Sequence, residues 1–297
     1  MKRSSSFAVA SCCLILTGCI TPSAVDDFAK ASAQAASLFP AVATIPYNAC
    51  VAIAENQQLA AVTDFNGNFA FDQTKIDCKA ADDTSQRLQK TYSVLATYIS
   101  TLDKLAGGNV PTYDTNIKAT VATIPGLTTP QQTAVTGLAS VIADLVDKGY
   151  RQKEAAKAIE RANPFVKELS GMLQTQLPPF LDQYLSNEKD SLRSMYRGIF
   201  IFRVQGSAST ENTSPTLVSK NFIEDMSRIQ NMQNAVAAFE KIFDGIGKTH
   251  QTLYDNRNKL WDKSVIQTIF QSVSNIEKQV SAVESAFTPT PAKAATK

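Results

Sequence analysis

The chain has 297 residues, enough for one large or two small domains with a proper core. Its 29 Lys and Arg against 27 Asp and Glu leave no global field to draw in nucleic acid. With one histidine, His250, any Ser-His-Asp or Cys-His catalytic site would have to pass through that residue.

Lys2 and Arg3 form a short positive stretch, and Phe7 to Leu16 is an apolar run too short to span a bilayer as a mature helix. It ends in Leu16-Thr17-Gly18-Cys19. That stretch resembles the lipobox of bacterial lipoproteins: Leu, a small residue, Gly before the cut and an obligatory Cys after it. The alternative is an ordinary secretory signal with a chance Cys. The resemblance covers this segment only. It implies that residues 1–18 are a signal peptide, that the Cys19 thiol is diacylated, and that the amine exposed by cleavage is acylated. Each buried methylene contributes about 0.8 kcal/mol, so two or three chains hold a protein on a membrane almost irreversibly. Ile20 is not the Asp that resembles an inner-membrane retention signal. In a Gram-negative envelope this favours the outer membrane, facing the periplasm. Losing Lys2 and Arg3 and no acid takes 29 basic against 27 acidic residues to 27 against 27. Past the signal, the sequence predicts no membrane-spanning segment.

Cys12 and Cys13 leave with the signal and Cys19 carries lipid, so Cys50 and Cys78 remain. Two thiols in an oxidising compartment read as one disulfide. The alternative, a metal pair, lacks a nearby His or further Cys.

Ser23 opens a first helix, with Pro22 before it and Asp26 three residues on. Val25, Phe28, Ala35 and Phe39 mark one side, and Pro40 is predicted to end it. Its Ala- and Ser-rich make-up suits residues 19–45 to serve partly as a lipidated tether. Pro46 starts a second helix through Cys50, Ile53 and Leu59 to Val62. Asn66-Gly67 between apolar flanks then predicts a hairpin or tight turn within the disulfide loop. Leu88, Tyr92, Leu95, Ile99, Leu102 and Leu105 step by three and four along a helix from about Ala80 to Ala106, ended by Gly107-Gly108. A short helix with Tyr113, Ile117, Val121 and Ile124 stops before Pro125. Pro130 starts a longer one carrying Val135, Leu138, Ile142, Val146 and Ile159.

Asn163-Pro164 is predicted to break that pattern. The stripe resumes at Phe165 through Leu169, Leu173 and Leu177, and Pro178-Pro179 should kink or restart the helix. Leu181, Leu185, Leu192, Met195, Ile199 and Phe202 follow. Residues 206–215 form a Ser/Thr/Asn-rich loop, the best internal boundary. One seam then runs from Phe222 through Met226, Ile229, Met232, Val236, Phe239, Phe243, Ile246 and His250 to Leu253. A second runs from Ile266 through Ile269, Val273, Ile276, Val280 and Val283 to Phe287. Their phases slip between Leu260 and Val265, predicting a turn near residues 255–262. The Pro- and Ala/Lys-rich residues 288–297 read as a disordered tail. The expected fold is an all-α, antiparallel multi-helix bundle of long amphipathic helices over residues 46–287, with a small disulfide-closed loop or hairpin near its N-terminus.

The inventory for chemistry is thin. His250 lies on the apolar seam between Ile246 and Leu253 and reads as a hydrogen-bonded structural histidine. Gly247-Lys248-Thr249 mimics the end of a P-loop, but Ile242 holds the place of the first Gly and the segment reads as continuous helix. Asp64, Asn66 and Asn68 mimic an EF-hand, with Phe69 and Lys75 where Gly and the bidentate acid belong. Asn212-Thr213-Ser214 marks only an exposed loop. Lys148, Arg151, Lys153, Lys157, Arg161 and Lys167 alternate with Glu154, Glu160 and Glu168, a solvated helix face. The reading is therefore of no catalytic residues, no metal and no cofactor. The leading expectation is a lipid-anchored, non-catalytic module that binds another envelope component. The alternative is a carrier for an apolar ligand held between helices, lined by side chains such as Met226, Met232, Phe239 and Phe243. Membrane-active helices find support only in residues 119–143 and 198–202.

Overall fold

The structure, a computed structural model, describes residues 23–61, 70–106, 124, 127–148, 152–201, 215–260 and 262–287. Among these residues the fold is an all-α antiparallel bundle, as the striping predicts. Its helices are α1 (Ser23–Ala43), α2 (Ile45–Ala61), α3 (Lys79–Ala106), α4 (Thr129–Lys148), α5 (Gln152–Thr175), α6 (Leu177–Ile199), α7 (Pro215–Asp255) and α8 (Lys263–Phe287). One 3₁₀ turn, Gln73–Lys75, precedes α3. The predicted hairpin at Asn66-Gly67, most of the short helix ending at Ile124, the loop at 206–214 and the tail at 288–297 lie outside the described residues.

The 41 residues of α7 make about 60 Å of unbroken helix. Helices α5 and α6 lie antiparallel along it in succession. From α5, Glu160 meets Arg257 just past the end of α7, Asn163 meets Gln251 at 3.0 Å, and Gln174 meets Asp244 at 3.3 Å. From α6, Glu188 pairs with Arg228, and Tyr196 donates to Asp225 at 2.8 Å. Helix α1 also opposes α7, with Phe28 6.3 Å from the His250 ring and Phe39 5.6 and 5.8 Å from Phe239 and Phe243. Helix α3 returns along α1, stacking Tyr92 on Phe39 at 4.0 Å. Helix α8 covers α7 and α1, α4 covers α5 and α3, and α2 packs on α6 and α3. Buried side chains from α1 to α8, on both sides of the 206–215 boundary, belong to one apolar cluster.

Two prolines behave otherwise than the sequence predicts. Pro40 lies inside α1, which runs on to Ala43, and Pro164 lies inside α5. Both rings are exposed. The carbonyl that each leaves unbonded, four residues earlier, therefore belongs to a turn that water can reach, and the helix tolerates the loss. No break falls at Asn163-Pro164: α4 is described to Lys148, and α5 runs from Gln152 through both residues to Thr175. At Pro178-Pro179 the expectation holds: Gln176 alone separates α5 from α6, and the prolines occupy the first turn of α6, where no amide donor is needed.

The expected tether is also corrected. Helix α1 buries Ala24, Val25, Phe28, Ala29, Ala35, Phe39 and Val42, so it is a core helix with no slack of its own. By length and composition alone, residues 24–61 contain an 18-residue window apolar enough to cross a membrane, with mean hydropathy 1.4, contrary to the sequence reading. Phe28 and Phe39, however, are spent on α7 and α3.

The α7–α8 contact, the most extensive in the fold, depends on Gly245. A Cβ there would sit 2.8 Å from Cγ1 of Ile276, which is fully buried. On an open helix Gly→Ala gains about 1 kcal/mol, but overpacking a filled core costs about 1–3 kcal/mol, and here the clash wins. Gly245→Ala should lower stability by about 1–2 kcal/mol in urea unfolding; an unchanged or raised midpoint would refute the close packing.

Candidate functional site

The only histidine is fully buried and sits in a directed chain of hydrogen bonds. Asp255 Oδ1 accepts from Gln251 Nε2 at 2.8 Å. A carboxylate only accepts, so the Gln251 amide turns its Oε1 to Asn163 Nδ2 at 3.0 Å. Asn163 Oδ1 is left to accept from His250 Nδ1–H at 3.1 Å. The other ring nitrogen, Nε2, is then bare and accepts the Tyr98 hydroxyl at 2.8 Å. Burial pushes the imidazole pKa down to about 3 and the Tyr98 phenol well above its usual range. Neither group exchanges protons near neutrality. The chain of bonds locks α3, α5 and α7 together.

The second element is a staple. Cys50 of α2 and Cys78, just before α3, form a disulfide, as the cysteine arithmetic predicts. Nearby, Gln58 grips the backbone of Asp72 at two points: its Oε1 accepts Asp72 N–H at 2.7 Å and its Nε2 donates to Asp72 C=O at 3.1 Å. Asp72 then caps the 3₁₀ turn through Thr74 N–H at 3.1 Å. Nothing in the spacing of Gln58 and Asp72 announces this clasp, which needs the fold to bring them together.

The third element is an exposed tip. Helix α8 meets α7 at Gly245 and ends eleven residues past Ile276, so by helix rise it falls short of the first turns of α7. There α7 packs on the end of α6. Tyr196 and Phe222 meet edge to face at 5.3 Å, and Tyr196 is pushed up in pKa by burial and by the Asp225 carboxylate that accepts its proton. Below them, Glu188 is buried and held by Arg228. Beyond, Phe200, Ile201 and Leu217 are 38%, 43% and 55% exposed. Phe200 and Ile201 line a groove of about 380 Å³ together with Arg193, Tyr196, Arg197, Val218 and Phe222, and Leu217 is the chain neighbour of Val218. Leu217 lies 33 residues before His250 on the same helix, about 50 Å away. Phe28 is at the level of His250. The groove is therefore at the opposite end of the body from the start of α1.

Of the residues singled out in the sequence, Cys19, Asn66, Asn68 and Asn212 lie outside the described residues. Gly247-Lys248-Thr249 is continuous helix, as predicted, and Gly247 sits against Ser170. Phe239 and Phe243 pack in the core beside Phe39 and Tyr92, and Met226 and Met232 are half-buried against the same core. No protein-family model, no curated protein and no solved structure matches this chain.

Proposed function

We propose that this chain is a lipid-anchored, non-catalytic helical protein of the cell envelope whose tip docks an apolar, acidic-flanked segment of another envelope protein. The observation that carries the reading is the position of the groove lined by exposed Phe200 and Ile201, with exposed Leu217 beside it in the chain, at the end of the body far from the start of α1. The lipobox supports the anchor. Cys19 stands four residues before Ser23, a span of at most about 14 Å, so the acyl chains would hold α1 close to the bilayer. The groove would then face away from that membrane. An apolar floor with a charged rim is the anatomy of a protein-binding patch, and Arg193 and Arg197 on the rim complement carboxylates.

A photo-crosslinking residue placed at Leu217 in intact cells should capture one defined envelope protein, while the same residue at Phe270, an equally exposed site on α8, should not. Leu217→Asp should cut capture from a probe at Ile201 by about tenfold, without altering the unfolding midpoint. Equal capture from Leu217 and Phe270, or none from either, would sink the reading.

A further inference from the structure

We infer that a cavity between α3, the start of α4 and the α5–α6 joint binds a small organic carboxylate. The site is separate from the tip and rests on none of the reading above.

The cavity measures about 230 Å³. Leu88, Leu127, Met172, Leu173, Leu177 and Phe180 supply its apolar wall. Arg87 enters from α3, and its Nε is buried with no hydrogen-bond acceptor among the described residues. An arginine is always charged, and a buried donor left without an acceptor is uncommon in a finished core. Four other polar side chains line the cavity: Thr84, whose hydroxyl donates to Ala80 C=O at 2.9 Å, Thr91, Gln131 and Gln176, and none of them bonds Arg87 Nε. Gln131 Oε1 accepts from Thr128 N–H at 2.9 Å, and Gln131 Nε2 donates to Gln176 Oε1 at 3.2 Å. What Arg87 Nε lacks is an acceptor, and the flat edge of a guanidinium is matched by the two oxygens of a carboxylate.

Size narrows the class. A dry apolar cavity of about 150 Å³ takes benzene, and one water occupies about 30 Å³. A lone water would satisfy Arg87 and leave the apolar wall uncovered. A bare inorganic anion would do the same, and a neutral hydrocarbon would leave the Arg87 donor orphaned. A ring or short chain bearing one carboxylate meets both demands, with its apolar body against Phe180 and Leu173 and its oxygens on Arg87.

The test uses the full-length protein in detergent, titrated with phenylacetate and with its neutral isostere phenylacetamide, read by calorimetry and ligand-observed NMR. Phenylacetate should bind saturably and at least about tenfold tighter than the amide. Arg87→Met should abolish that preference, and Met172→Trp, which fills the cavity, should weaken both ligands by about tenfold or more. Arg87→Lys keeps the charge without the fork and should retain part of the preference, which guards against a variant that fails to fold. Leu217→Asp should leave both affinities unchanged, so failure here and failure at the tip are told apart. Absence of saturable phenylacetate binding up to about 10 mM would overturn the inference. So would a preference for the acid that survives in Arg87→Met.

Discussion

The unfolding midpoint should fall steeply in acid, and His250 is the reason. In the unfolded chain its pKa is about 6.5, whereas in the fold burial holds it at about 3. Below pH 6.5 the unfolded chain takes up a proton that the folded protein refuses. Stability is therefore complete above about pH 6.5 and is lost as pH falls from there toward 3, at close to 1.4 kcal/mol per unit. By pH 4.5 the loss should be about 2–3 kcal/mol. Other groups act in the same range. Burial, with repulsion from Asp26 added, raises the pKa of Asp27 and Asp103, and those carboxylates favour the fold as pH falls. The comparison that isolates the imidazole is His250→Gln, whose amide can accept from Tyr98 and donate to Asn163. Urea midpoints from pH 7.5 to 4.5 should diverge between the two proteins, the variant losing less. Parallel curves would mean that His250 charges in the fold.

Opening the Cys50–Cys78 bridge should be almost as damaging. The bond closes a loop over a sequence separation of 28, and the chain-entropy model gives about 3–4 kcal/mol for a loop of that length. Two features argue against a smaller figure. Cys78 is buried at the foot of α3, and its carbonyl accepts Asp82 N–H at 2.9 Å in that helix's first turn. The Gln58–Asp72 clasp lies inside the same loop. Without the bridge, the clasp still ties this connection to α2 by two hydrogen bonds, each contributing about 1 kcal/mol. The Cys50→Ser/Cys78→Ser protein should melt well below the parent, and dithiothreitol should move the parent to the same temperature. A drop of less than about 1 kcal/mol would show that the loop is held by its packing.

Helix striping was legible because burial follows it closely. Leu95, Ile99, Leu102 and Leu105 on α3 are shut away from water, and so are Ile269, Val273, Ile276, Val280 and Val283 on α8. The turn predicted near residues 255–262 falls between Asp255 and Lys263. The prolines misled because a sequence shows where a donor is missing but not which way the affected turn faces. At Pro40 and Pro164 it faces solvent, and the helix continues. Asn163 gives a second reason, since its side chain is held by His250 and Gln251, residues 87 and 88 positions away. The polar chain could not be foreseen for the same cause: Tyr98 and His250 are 152 residues apart. Leu88 read as plain core, yet it lines the Arg87 cavity, because a stripe cannot tell a filled neighbour from an empty one.

The two rods that accompany α7 are each jointed at a single residue, Thr44 between α1 and α2 and Gln176 between α5 and α6. Phe39 lies against Phe239 and Phe243, and Gln174 against Asp244, so both joints fall beside the middle of α7. The long helix has no joint there. It bridges both joints as one continuous helix, so the halves of the body on either side share a single backbone strut.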